Sequence, residues 1–187
     1  IVVKSSDAGT LGVSGQLSFT TGTTSSGSSG SIVVATGNAE AGQAGDIIVT
    51  VGRSKTDTGG NVLLTSGDSR GSSRGTGGSM SLSSGYGEFK SSGSVVVQTS
   101  NAGTLGVSGQ LSFTTGTTSS GSSGSIRIAT GSAVHGRSGD IIVSVGKSKT
   151  DTGGNVVLTS GDASSKTGGT ISLSGGAGIA SSSGSVV

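Results

Sequence analysis

The sequence predicts an all-β chain: a β-solenoid (β-helix) of about twelve short coils, ~15 residues per coil, with a thin two-walled cross-section. Three observations predict it. A glycine followed by an apolar phrase recurs at Gly15, Gly30, Gly45, Gly60, Gly78, Gly93, Gly109, Gly124, Gly139, Gly154, Gly169 and Gly184, mostly in steps of 15 residues. Each phrase sets large apolar side chains two residues apart, the period of a strand with one covered face. Between phrases almost every residue is small, which would let two walls of a flat coil approach closely.

A longer period lies over the short one. Ala8–Ile32 returns unchanged as Ala102–Ile126, and Gly45–Asp68 returns almost unchanged as Gly139–Asp162. The expected organisation is therefore a first block of six coils over residues 1–94 and a second over 95–185, with 186–187 opening a third. Together they read as one continuous solenoid cut from a longer array.

Counting from the glycine, the third and fifth positions of each phrase supply the candidate core. They are Leu17 and Phe19, Ile32 and Val34, Ile47 and Val49, Val62 and Leu64, and Met80 and Leu82 in the first block. The second block supplies Leu111 and Phe113, Ile126 and Ile128, Ile141 and Val143, Val156 and Leu158, and Ile171 and Leu173. Helix is excluded by the density of Gly and β-branched residues. Gly at both corners of the coil is expected to supply the backbone angles that other residues resist.

The return stretch is expected to form the second wall, with Thr24, Ser26 and Ser29, or Ala39, Ala41 and Ala44, pointing inward. One return departs from this, where Phe89 joins the core candidates beside the gap left by Gly87. Backbone groups of each coil would pair with those above and below at about 4.8 Å. No single coil could bury its own apolar pair, so stability would accumulate over neighbours.

The fourth position should face outward, yet it is aliphatic at Val33, Ile48, Leu63, Val96, Ile142 and Val157. This row reads as a lateral-packing face for another solenoid. The sixth position offers Thr20, Thr50, Thr65, Thr114 and Thr159, half of the threonine grid expected of an ice-binding or surface-binding module, which is the alternative reading. Charges fall on the return wall, where neighbouring coils would place Arg53 near Asp68 and Lys147 near Asp162, as weak surface pairs. Asp46 and Asp140 precede Asn61 and Asn155 by one coil, as a hydrogen-bonding edge.

Composition excludes several function classes. With 39 Gly and 42 Ser in 187 residues, and aromatics at 2%, the chain resembles a disordered spacer, but the regular apolar beat and the absence of Pro argue against one. There is no Cys, so disulfides and thiolate metal sites do not arise. A net charge of +2 without a basic face argues against nucleic acid, and no apolar run is long enough to span a bilayer. The first residues, Ile1-Val2-Val3-Lys4, show no signal-peptide pattern.

No catalytic constellation emerges and no cofactor is implied. Gly71–Gly75 (GSSRG) matches the hydrolase elbow G-x-S-x-G, but the strand-to-helix context that elbow needs is missing. His135, the single histidine, has no carboxylate pattern around it and reads as a structural inward or corner residue. Asp does not recur from coil to coil as a calcium roll requires.

Tandem phrases such as GSSGSIVVATGNAEAGQAGDIIVTVG resemble the large Ser/Gly-rich repetitive secreted proteins of diatoms and related algae. That resemblance is one of repeat style over the whole chain. It implies an extracellular or cell-surface, mucilage-type or adhesive role and transfers no site residue. The expected function is a non-enzymatic structural protein that forms fibres, adhesive strands or surface appendages. Its expected partners are its own copies, with polysaccharide or a solid surface as a further possibility, and neither nucleic acid nor membrane.

Overall fold

The structure is a computed structural model, and residues 1–71, 75–178 and 182–187 are described. The expected all-β solenoid is not what it shows. Among the described residues there is no helix and no strand, and the chain is coil interrupted by bends. No described residue is buried; a few, such as Ser5, Ser66 and Ser148, reach intermediate exposure. The accessible surface is 18849 Å² for 17.5 kDa. A folded monomer of that mass would expose about 7,900 Å² and an unfolded chain about 25,000 Å². Most of the surface that folding would hide is therefore in water.

The physical reason lies in what a stacked coil must order and what it can bury. Ordering one residue's backbone costs about 1–2 kcal/mol, and Gly loses the most freedom. A unit of the repeat orders Gly, Ser and Thr at most positions and offers two or three large side chains in return. Strand propensity in the phrases is a local preference, whereas a rung needs backbone partners from the units before and after it. A return wall of Ser, Thr and Ala brings almost no apolar area to that contact.

The short period nevertheless survives as geometry. The chain divides into two units, Ile1–Val95 and Val96–Val187. In the first, a turn and bends span residues 9–12, and further bends fall at 25–27, 40–42, 55–57, 71 and 88–90. In the second they fall at 104–106, 119–121, 134–136, 149–151 and 164–166. Most lie in the middle of a return, so where a return is described the chain turns there and not at the two expected corners. Gly27 and Gly121, which occupy the same place in the two copies of the longest repeat, both have φ of 109°, a value L side chains resist. The corner glycines Gly22 and Gly30 show no such angle.

Gly30 and its equivalents serve a different purpose. Each closes the neck of a loop by approaching the seventh residue of the preceding phrase. A Cβ built on Gly30 would lie 3.4 Å from Thr21 Cγ2, and one on Gly124 would lie 3.4 Å from Thr115. On Gly60 it would meet Val51 Cγ1 at 2.7 Å, and on Gly154 it would meet Val145 Cγ1 at 2.8 Å. Four necks add a backbone hydrogen bond: Gly78, Gly93, Gly169 and Gly184 donate N–H to the carbonyls of Gly67, Gly85, Gly161 and Gly176 at 2.8–3.0 Å. Gly60→Ala should therefore open its neck, while Gly52→Ala, with nothing within 4 Å, should not. The nuclear Overhauser contact between residues 51 and 60 measures this directly: it should disappear in the first variant and persist in the second.

Candidate functional site

Exposure within the phrase does not alternate as a strand with one covered face would: the fifth position, as at Val34, Val49 and Leu64, is nearly as exposed as the fourth. Third-position residues are about half exposed, as at Leu111 (49%) and Ile141 (54%), and the seventh-position Val51 is similar. The fourth position stands furthest out: Leu63 is 85% exposed and Ile142 82%, with Val33, Ile48, Val96 and Val157 close behind. The outward aliphatic row thus exists as a recurrent exposed feature, although no strand aligns it.

The residues expected to form a core are in water as well. Leu17, Phe19, Ile32, Val34, Ile47, Val49, Val62, Leu64, Met80 and Leu82 are exposed, as are their counterparts from Leu111 to Leu173. Phe89 is 90% exposed and fills no gap beside Gly87. The reason is that no second wall is present to cover them. Thr20, Thr50, Thr65, Thr114 and Thr159 are exposed too, with no strand among the described residues to set them in a flat grid.

The charges do not pair as stacked coils would pair them. Arg70, two residues away, donates from Nη2 to Asp68 Oδ2 at 2.7 Å, and Arg53 makes no such contact. Arg137 donates from Nη2 to both carboxylate oxygens of Asp140, at 2.7 and 3.0 Å. Lys4 and Asp7 lie 4.0 Å apart. All three pairs are local in sequence and exposed, so each contributes under about 1 kcal/mol. Local pairs win because coils that do not stack cannot present a neighbour's charge.

The sequence reading missed the way the charged returns are shaped. The Asp57 N–H donates to Ser54 Oγ at 3.0 Å, and the Thr58 N–H donates to Asp57 Oδ1 at 2.7 Å. Asp151, Ser148 and Thr152 repeat the arrangement at 3.1 and 2.7 Å. The spacing S-K-T-D, present twice, is the signal that could have shown it, since Ser and Asp side chains readily bond nearby backbone N–H groups. In the uncharged returns, Thr24 Oγ1 donates to the Ser26 carbonyl at 3.0 Å and Thr118 does the same to Ser120 at 3.1 Å.

Among the described residues there is no cavity and no cluster of three His, Cys, Asp or Glu side chains. His135, expected at an inward or corner position, is exposed in the bend at 134–136. Of the GSSRG elbow at Gly71–Gly75, residues 72–74 lie outside the described residues. No described helix is long and apolar enough to cross a membrane. Comparison with protein families, curated proteins and solved structures finds no match to the chain.

Proposed function

We propose that the chain is a non-enzymatic structural protein of the cell exterior whose phrases associate with those of other copies into fibres, adhesive strands or surface appendages. The observation that carries this reading is the exposed apolar phrase, repeated at near-constant spacing and left in water by a single chain. Covering apolar surface gains about 25 cal/mol per Å². A single copy has too little else to cover its phrases with, whereas a second copy presents the same phrases at the same spacing.

One phrase is a weak contact, but tethered contacts add through effective concentration. Duplication of an identical segment suits such a polymer: every added block brings more contacts without requiring a new partner. The Gly/Ser returns keep neighbouring phrases apart and in water between contacts.

Sedimentation velocity over a range of concentrations, followed by electron microscopy of the associated material, tests the reading. Growth with concentration into elongated filaments is the expected result. A chain that stays monomeric at high concentration overturns it, and binding of that monomer to ice or polysaccharide would point to a surface-binding module instead.

A further inference from the structure

Opposite charges recur one repeat unit apart. Glu40 and Lys55, Arg53 and Asp68, Lys147 and Asp162, and Asp151 and Lys166 are each separated by 15 residues, and all are exposed. Only Lys55 and Arg70 form a like-charged pair at that spacing. Within one chain none of the four opposite pairs is made, because the ion pairs among the described residues are the local ones at Lys4, Asp68 and Arg137.

Two other alignments of the repeat are worse. Two copies in parallel with no offset would set every charge against itself. An offset of one block, 94 residues, sets Asp46, Arg53, Lys55, Asp57 and Asp68 against Asp140, Lys147, Lys149, Asp151 and Asp162, all like charges. Like charges placed directly opposite one another destabilise paired chains.

Resting on the proposed self-association, we propose that the occupant of the exposed phrase row is a second copy of this chain, lying parallel and displaced by one 15-residue unit. At that offset apolar phrases meet apolar phrases at nine of the eleven steps. Four charged positions then meet an opposite charge and one, Lys55 against Arg70, meets a like charge, while at 54–58 and 148–152 Ser–Asp hydrogen bonds already shape the charged returns. A displaced pair leaves one unit uncovered at each end, so the contact does not close on itself. Each copy added exposes the same free unit again, which is the geometry of an open filament.

The test uses the whole chain at low salt, where exposed charges are least screened. One variant carries Arg53→Asp and Lys147→Asp; the other carries Asp68→Lys and Asp162→Lys. Each alone should associate at least tenfold more weakly than the wild type, because each sets like charges together at the one-unit offset. Mixed in equal amounts they should recover wild-type association as an alternating filament, since every contact then joins opposite charges. Recovery in the mixture also excludes local damage by either pair of substitutions. Variants that associate like the wild type, or a mixture no better than its components, overturn the offset. A wild-type chain that does not associate overturns the proposed function itself.

Discussion

Replacing Ile48, Leu63, Ile142 and Val157 together with threonine should raise the concentration at which the chain associates at least a hundredfold. These four stand in the most exposed position of their phrases, and no other part of the single chain covers them. The change removes seven carbon atoms and adds four hydroxyls. At about 0.8 kcal/mol per buried methylene, the loss approaches 6 kcal/mol if an assembly covers all four side chains. Partial coverage brings this down, and about 3 kcal/mol already corresponds to a hundredfold. Threonine is β-branched like Ile and Val, so local backbone preference at three of the four sites is little altered. Light scattering over a dilution series measures the shift. Association unchanged by the substitution would show that the fourth-position row is not the contact.

The repeat was legible in the sequence, and the fold was not, for separable reasons. Period, phrase and block are properties of the chain read locally. They reappear as a bend in most of the described returns and as recurrent glycine necks, as at Gly60 against Val51. The step from phrase to strand fails because Ile47 and Val49 have apolar alternation but no partner to pair with. A hydrophobic period states which residues would share a face, not whether anything covers it. The glycines were misassigned in the same way. Gly30 was expected to turn the chain and instead permits a close approach to Thr21, while the positive φ falls on Gly27. Among the candidate site residues, the aliphatic row from Val33 to Val157 is exposed, but so are the core candidates, so exposure does not set the row apart. The pairing of Asp68 with Arg70 was not legible, because it depends on which contacts remain once stacking is absent.

The second large effect concerns length. A chain cut to residues 1–94 keeps about half of the phrases, and its association should weaken far more than twofold. If each phrase contributes about 1 kcal/mol net, below the 1.5–3 kcal/mol for fully burying one such side chain, losing six raises the dissociation constant by roughly four orders of magnitude. That steepness follows from tethering: in the full chain, once one phrase has bound, the next meets its partner at a high effective concentration. A doubled chain with four blocks should move in the opposite direction and associate at concentrations where the 187-residue chain is monomeric. Sedimentation equilibrium of the three lengths measures the trend. Equal constants for one, two and four blocks would mean that a single special site carries association, and the identical repeats would then need another explanation. An association constant whose logarithm rises in proportion to block number would mean that the phrase is the functional unit and the repeat is how the protein sets its strength.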